Sequence, residues 1–246
     1  MNASDDSNDK LTPKPAPHNP VDILIWTIIS IQVIVAIFGL MVLPDTPVPI
    51  HWGANGQPDG YASKWLAMPL HPLTSIALYV LLRVLLVAGP RLGARQNATA
   101  NLKVAKTVLA GIMLFTLIIQ LATIAHILGV AFDMPTVMML AVSVLFIFLG
   151  NYMGKLRRNF WMGIRTPWSL TNEVVWERVH RLGGWLFVGV GLIGIVCSFI
   201  PLLRLWGIVV PLIALAIFLY IYSYVCYRQQ MRGEHDPLSP PFDGEN

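Results

Sequence analysis

Charged side chains are scarce in this sequence of 246 residues, since Asp, Glu, Lys and Arg together make up only 12% of it. Soluble domains carry roughly 25%. Hydrophobic residues account for 55%, and the mean hydropathy is +0.62. So few charges cannot cover a water-exposed surface, which excludes an ordinary soluble domain. The composition predicts an all-α polytopic integral membrane protein, because helices satisfy their own backbone polar groups in lipid.

Cysteine is also rare. The two cysteines, Cys197 and Cys226, fall inside apolar runs and are interpreted as small buried hydrophobes rather than a disulfide or metal pair. No serine or cysteine has a matched base in the sequence. The best metal-binding pattern, Glu173-x3-Glu177-x2-His180, is also what the polar face of an amphipathic helix produces by chance. We therefore predict that the chain is not an enzyme and holds no metal or cofactor.

Positive charge is concentrated in one late polar stretch, residues 150–184, which we call the junction. Its six cations are Lys155, Arg157, Arg158, Arg165, Arg178 and Arg181. Such a block crosses a bilayer only at high cost, so the positive-inside rule places the junction in the cytoplasm. The net charge of +4 arises from cations beside apolar runs, where they set topology and contact anionic lipid. We therefore expect the lipid bilayer as a partner and no direct binding of nucleic acid.

Six apolar runs are long enough to cross a hydrocarbon core of about 30 Å. With the junction inside, fourteen of the seventeen Lys and Arg lie on the cytoplasmic side. This asymmetry predicts a multi-pass protein of the bacterial inner membrane with both termini in the cytoplasm. The runs cover residues 21–43, 66–88, 107–132, a fourth run ending near 153, 186–203 and 206–227.

The two ends of the chain, residues 1–19 and 228–246, are polar and Pro-rich and are predicted to be disordered cytoplasmic tails. The first twenty residues are acidic, so we expect no cleaved signal peptide. The remaining chain divides into four parts. These are the first two spans with a polar outer loop at 44–65 (residues 20–89), a basic inner loop with spans three and four (90–153), the junction (150–184), and spans five and six (185–227).

The outer loop carries strong turn signals, because Asn55-Gly56 and Asp59-Gly60 favour tight turns and four prolines prevent a continuous helix. We expect a short strand at 48–52 that pairs back on Tyr61. The mixture of aromatic and isolated charged residues suits a recognition surface, and the alternative is a packed lid that joins the first two spans. The candidate ligand-binding residues are His51, Trp52, Asn55, Asp59, Tyr61 and Lys64.

Within the junction, Thr166-Pro167 is expected to end an extended segment, and Ser169 or Thr171 offers an N-cap hydroxyl. Apolar residues at 175, 179 and 182 then predict a short interfacial helix on the inner membrane surface. The junction is either a docking face for a partner or a stiff collar. Its candidate residues are Asn159, Arg165, Thr166, Trp168, Asn172, Trp176, His180 and Arg181.

Both polar stretches resemble a known family. The junction resembles the signature of the SdpI family, bacterial membrane proteins named for immunity to a secreted killing-factor toxin. Arg158 stands where that family usually has proline, and Val174 replaces a usual acidic residue. The outer loop resembles a small module of unknown function often found ahead of that signature, through Pro49, His51, Trp52, Gly56, Pro58, Asp59, Tyr61 and Lys64. The matching junction residues are Gly150, Asn151, Arg157, Asn159, Gly163, Ile164, Arg165, Thr166, Pro167, Trp168, Asn172, Glu173, Val175, Trp176, His180, Arg181, Leu182, Gly183 and Gly184.

The resemblance implies a membrane immunity protein that protects its cell from a secreted peptide toxin. It also implies a toxin-sensing receptor that recruits a cytosolic transcriptional repressor to the membrane. Two alternatives stay open on the residues alone. One is a small-solute or ion transporter that uses Gln32, Gln120 and His126 as a polar path, and the other is a general envelope-stress membrane protein.

Overall fold

The computed structural model describes residues 20–53, 57–88 and 98–233. Six helices within those ranges are long and apolar enough to cross a membrane, which confirms the predicted six-span, all-α polytopic architecture. The predicted tail at 1–19 and residues 234–246 lie outside the described ranges. The elements in chain order are α1 (Pro20–Val42), β1 (Val48–Trp52), β2 (Pro58–Ala62), α2 (Lys64–Ala88), α3 (Ala98–Ile127), α4 (Met134–Met153), α5 (Pro167–Thr171), α6 (Glu173–Ser198) and α7 (Trp206–Arg232).

The outer loop folds into the expected hairpin. Strands β1 and β2 pair antiparallel, with Val48 opposite Ala62 and Pro49 opposite Tyr61. The pairing shifts register on either side of His51, so the ribbon is irregular. The prolines and glycines that exclude a helix here leave this short ribbon as the one structure the loop can form between α1 and α2.

Several helix boundaries differ from the sequence prediction. Helix α3 begins at Ala98, so much of the predicted inner loop at 90–106 is helical. It ends before Gly129, which adopts a left-handed conformation with φ 87°. Helix α7 continues to Arg232, beyond the predicted start of the tail at 228, and stops at Gly233 with φ 71°.

The predicted interfacial helix is not a separate element. Its residues form the first turns of α6, a single helix that continues into the predicted fifth span. Val175, Trp176 and Val179 are fully buried at 0% exposure, so this segment packs inside the bundle rather than lying on a membrane surface. The short helix of the junction is instead α5.

Helix α6 packs closely on α4. A Cβ added to Gly184 would lie 2.7 Å from the carbonyl oxygen of Gly150, and one added to Gly150 would lie 2.6 Å from that of Gly184. Further along, a Cβ on Gly191 would lie 2.6 Å from the carbonyl oxygen of Ser143. Small residues therefore allow the two backbones to approach closely, as is common for helices in membranes.

Buried amides join α1 to α3. The side-chain amide of Gln32 donates to the carbonyl oxygen of Met113 (3.1 Å) and to the hydroxyl of Thr116 (2.9 Å). The amide of Gln120 donates to the backbone oxygen of Gln32 (3.1 Å). His126, the third residue of the suggested transport path, instead packs against the ring of Phe132. The glutamine pair thus acts as an interhelical bond within the first half of the bundle.

The turn before α4 is fixed by Asp133. Its carboxylate accepts hydrogen bonds from the hydroxyl (2.5 Å) and the amide (3.2 Å) of Thr136, and it pairs with Arg204 at 2.8 Å. The hydrogen bond from the Thr136 hydroxyl makes the largest contribution to holding the pKa of Asp133 below its usual range. The Thr136 amide and Arg204 lower this pKa further. Arg204 also donates to the carbonyl oxygen of Ser198 (3.0 Å), which ties the end of α6 to the start of α4.

Candidate functional site

The two polar stretches lie at opposite ends of the bundle. Lys106, near the start of α3, pairs with Asp22 at the start of α1 (2.7 Å). Asn101 exchanges two hydrogen bonds with the backbone of Arg157, just after α4 (2.9 and 3.0 Å). The starts of α1 and α3 and the junction therefore share one end, which we call the basic end. The hairpin follows the other end of α1, and we call that the hairpin end.

At the hairpin end, Lys64 is a structural residue. It is only 9% exposed, donates to the carbonyl oxygen of Leu43 (2.8 Å) and pairs with Asp45 (2.9 Å). These contacts pin the start of α2 to the end of α1. Its neighbour Trp65 is 66% exposed, as suits an aromatic anchor at a membrane surface.

Three of the predicted ligand-binding residues share the outer surface of the hairpin. His51 Nδ1 lies 2.5 Å from Asp59 Oδ1 across the two strands, and both side chains are exposed. Gly60 permits this pairing, because a Cβ there would lie 2.9 Å from the Cβ of His51. Tyr61 is 56% exposed. Asn55, also predicted, lies outside the described residues.

Beneath the hairpin is a cavity of about 80 Å³, bounded by both the strand β1 and the helices α2, α3 and α4. Trp52 forms part of its wall, beside Met68, His71, Gln120 and Thr123. Sequence reasoning found Trp52 but missed His71 and Thr123, and it considered Gln120 only for a transport path. The sequence signal for these residues is a polar side chain within an apolar helix. That signal does not show which helices pack together.

Gln120 gives this cavity an unusual polar feature. Its Nε2 donates to the backbone of Gln32, which sets the orientation of the amide. Its Oε1 is buried and has no hydrogen-bond partner among the residues the structure describes. Buried acceptors are normally paired, and leaving one unpaired costs about 1–3 kcal/mol. The cavity is thus lined mainly by apolar groups, with His71, Gln120 and Thr123 as polar residues in its wall.

At the basic end, Asn159 builds the first turn of the junction. Its side-chain oxygen accepts from the amides of Trp161 and Met162 (2.8 Å each), and its amide donates to the carbonyl oxygen of Arg157 (2.8 Å). The side chain is buried. Asn159 therefore shapes the backbone and offers little surface to a partner.

His180 holds the centre of the junction. Its Nε2 accepts from the backbone amide of Ile164 (2.9 Å), so the proton sits on Nδ1, which donates to the carbonyl oxygen of Trp176 (2.8 Å). The imidazole stacks on Trp176, whose indole nitrogen donates to the carbonyl oxygen of Leu156 (2.8 Å). Gly163 has φ 102°, and a Cβ there would collide with His180. The ring thus fills the space that a glycine leaves open.

These contacts use both ring nitrogens of His180, so the Glu173, Glu177 and His180 pattern does not assemble a metal site. Glu177 instead pairs with Arg157 at 2.8 Å. Within the described ranges, no three His, Cys, Asp or Glu side chains are grouped to hold a metal ion. That the protein is not an enzyme stays a prediction.

The caps in the junction differ from those predicted. Thr166 caps α5 and forms a reciprocal capping box with Ser169, and Asn172 caps α6 by accepting from the amide of Val175 (3.1 Å). Thr166 is favoured because Pro167 fits the first helical position, where no amide is needed. Thr171, which was predicted as a cap, donates to the carbonyl oxygen of Pro167 instead (3.0 Å).

The rest of the junction is tied to its surroundings through arginines and a tryptophan. Arg165 donates to the carbonyl oxygen of Phe160 (2.6 Å). Arg158, where proline is usual, donates to that of Leu170 (2.9 Å). Trp168 packs on Tyr220 and Tyr224 of α7, with ring centroids 5.1 and 5.0 Å away. The junction is therefore packed against α7 and held by side-chain hydrogen bonds to its own backbone.

Burial divides the eight predicted junction residues. Asn159, Thr166, Trp176 and His180 are buried, Trp168 and Asn172 are half-buried, and Arg165 and Arg181 are exposed. Sequence reasoning missed Asn101, whose partner is 56 residues away. It also missed the exposed aromatic residues beside Arg165, of which Phe160 is 60% exposed.

The sequence matches known proteins over both polar stretches. Residues 155–223 match the SdpI/YfhL protein family, and residues 27–76 match a domain of unknown function, DUF1648. The chain is 26% identical over 206 residues to the immunity protein SdpI of Bacillus subtilis (strain 168), covering 84% of this chain and 95% of that protein. No solved structure matches. The resemblance seen in the junction and the outer loop is thus confirmed, and the chain is a multi-pass membrane protein similar to the SdpI family, with a match to DUF1648 ahead of the SdpI-like segment.

Proposed function

We propose that this protein gives its cell immunity to a secreted, membrane-active peptide toxin, which it binds at the hairpin end. The similarity to an immunity protein extends over nearly the whole length of that protein, so it includes both the hairpin and the junction. The observation that carries the binding site is the cavity beneath the hairpin, with Trp52 in its wall together with the polar residues His71 and Gln120.

The size and lining of the cavity favour a particular kind of ligand group. A volume of about 80 Å³ suits one flat side chain. Its wall is mostly apolar, which favours an apolar group, and the polar residues His71 and Gln120 in the wall favour a group that also forms a hydrogen bond. An indole or phenol of the toxin meets both demands.

The outer surface of the hairpin carries further groups that suit peptide binding. His51 and Asp59 form a polar pair there, and Tyr61 adds an exposed aromatic ring. An aromatic anchor beside polar surface groups is a usual arrangement in a binding site. Trp65 marks the bilayer surface, where a membrane-active peptide concentrates.

The test is survival of a toxin-sensitive bacterium that expresses this chain, challenged with a secreted peptide toxin of the Sdp type. We expect Trp52→Ala to lower the toxin dose that the cells survive by about tenfold or more, since it removes an anchor contact worth about 1–3 kcal/mol. Trp206→Ala is the matched control, because Trp206 is an exposed tryptophan outside the cavity, at the start of α7. Full protection by Trp52→Ala, with all proteins present equally in the membrane, would contradict the proposed site.

We further propose that the basic end recruits a cytosolic repressor when toxin binds. Arg165, Phe160 and Trp161 form its exposed aromatic and cationic surface. Helix α6 extends from the junction to Ser198, whose carbonyl oxygen contacts Arg204, so one rigid element reaches both ends. A small displacement at one end would thus be transmitted to the other.

This division of roles is tested by a Phe160→Ala, Arg165→Gln double variant. We expect it to abolish toxin-dependent transfer of the repressor to the membrane fraction while protection stays intact. Trp176 is unsuitable for this purpose, because it is fully buried and its loss would disturb the fold. Equal loss of protection and recruitment would refute the division.

A further inference from the structure

A second cavity, of about 460 Å³, opens at the basic end between the segment after α4 and the first turns of α6. Four cations line it, Lys155 and Arg157 from the segment and Arg178 and Arg181 from the helix. Glu177 is the one acidic residue in its lining. The cavity therefore carries an excess of positive charge.

This charge is only partly neutralised inside the protein. Glu177 pairs with Arg157 at 2.8 Å. Lys155 lies over the ring of Tyr152, 4.4 Å from its centroid, and Arg181 is exposed. Across residues 20–53, 57–88 and 98–233, no carboxylate lies within ion-pair distance of Lys155 or Arg181. Two cations are thus available to a ligand.

The walls of the cavity are held in place by contacts that leave its charged side chains available. The backbone amide and carbonyl groups of Arg157 both bond to Asn101, and the carbonyl oxygen of Leu156 accepts from the indole of Trp176. The opposite wall is the regular helix α6. Walls that are already ordered reduce the entropy lost when an anion binds.

We propose that this cavity binds a phosphate group, supplied by the headgroup of an anionic phospholipid. Guanidinium groups match phosphate through paired hydrogen bonds, and lysine adds a point charge. Lys155 lies two residues after the end of α4, and Arg181 lies level with it, because a Cβ on Gly154 would be 3.8 Å from the Cα of Arg181. Both cations therefore lie where α4 ends, which is where a membrane-spanning helix meets lipid headgroups. Basic cavities between such helices are typical headgroup sites.

The proposal is independent of toxin immunity and is tested on the purified full-length protein. Thermal unfolding is followed in nanodiscs of phosphatidylcholine alone, of phosphatidylcholine with phosphatidylglycerol, and of phosphatidylcholine with added inorganic phosphate. Retained lipid is counted by native mass spectrometry. The variant is Lys155→Gln, Arg181→Gln. The control is Lys103→Gln, Arg232→Gln, which removes two exposed cations from the same end but outside the cavity.

We expect phosphatidylglycerol to raise the unfolding temperature of the wild type and of the control, and to be retained over phosphatidylcholine. The cavity variant should lose that preference by about tenfold or more, from two cations near a bilayer surface. Equal loss in the control and the cavity variant, or no lipid preference in the wild type, would overturn the proposal. Stabilisation of the wild type by inorganic phosphate alone, without a lipid preference, would overturn the lipid source.

Discussion

At the scale of single residues, the junction depends on a few side chains that replace missing backbone partners. His180 accepts from the amide of Ile164, Asn159 accepts from two amides of its own turn, and Trp176 donates to the segment after α4. These groups lie in irregular backbone, where no helix provides partners, and buried backbone amides must be paired. The dense polar motif of the junction is therefore a set of structural hydrogen bonds.

Gly163 provides the sharpest test at this scale. We expect Gly163→Ala to lower the unfolding temperature strongly, because alanine at φ 102° is strained by about 1–3 kcal/mol and its Cβ would also displace His180. Gly129→Ala is the matched control, since Gly129 has φ 87° but nothing within 4 Å of the added Cβ. Thermal unfolding of both variants in detergent measures the difference. Equal shifts would mean that His180 does not restrict the position.

At the scale of elements, the packing of α4 against α6 is the main helix interface in the second half of the bundle. Its close approach requires glycine at 150, 184 and 191, where any side chain meets backbone of the opposite helix. Gly189 lies on the same helix α6 and meets nothing within 4 Å. In helix α6, packing therefore requires glycine at 184 but not at 189.

Alanine substitution should therefore have opposite effects at two glycines of α6. Gly184→Ala forces the backbones apart and should destabilise by about 1–3 kcal/mol. Gly189→Ala relieves an unfavourable helix residue and should be neutral or stabilising by up to about 1 kcal/mol. Thermal unfolding measures both effects. A loss of stability with Gly189→Ala as large as with Gly184→Ala would refute the proposed packing.

The sequence predicts elements better than it predicts their contacts. Hydropathy locates six spans, and the turn residues near Asp59 predict the pairing of 48–52 with Tyr61 correctly. The close packing of α6 on α4 could not be predicted, because it depends on Gly150 from another helix. The cavity beneath the hairpin could not be predicted either, because it forms where Trp52 meets helices whose order in space the sequence does not reveal.

At the scale of the whole molecule, the bundle has two different ends, one with the hairpin and one with the junction. Charge asymmetry predicts that the basic end faces the cytoplasm. The ion pair of Asp22 with Lys106 and the bonds of Asn101 with Arg157 bring the basic segments together there. Toxin recognition outside and partner recruitment inside both require this orientation.

Orientation is tested by labelling with a membrane-impermeant maleimide in a Cys197→Ala, Cys226→Ala background. We expect Asp59→Cys, on the exposed hairpin, to be labelled when only the outer face of the inner membrane is accessible. Lys103→Cys, exposed at the basic end, should be labelled only after the membrane is permeabilised. The reverse pattern would contradict the orientation and the proposed site together.

The proposed binding of toxin at the hairpin end is measured with a fluorescently labelled toxin and the purified protein in nanodiscs. We expect saturable binding by the wild type and by Trp206→Ala, and binding weaker by about tenfold or more for Trp52→Ala, as expected for an aromatic anchor. Equal affinity of the wild type and Trp52→Ala, or no saturable binding by the wild type, would contradict the proposed site.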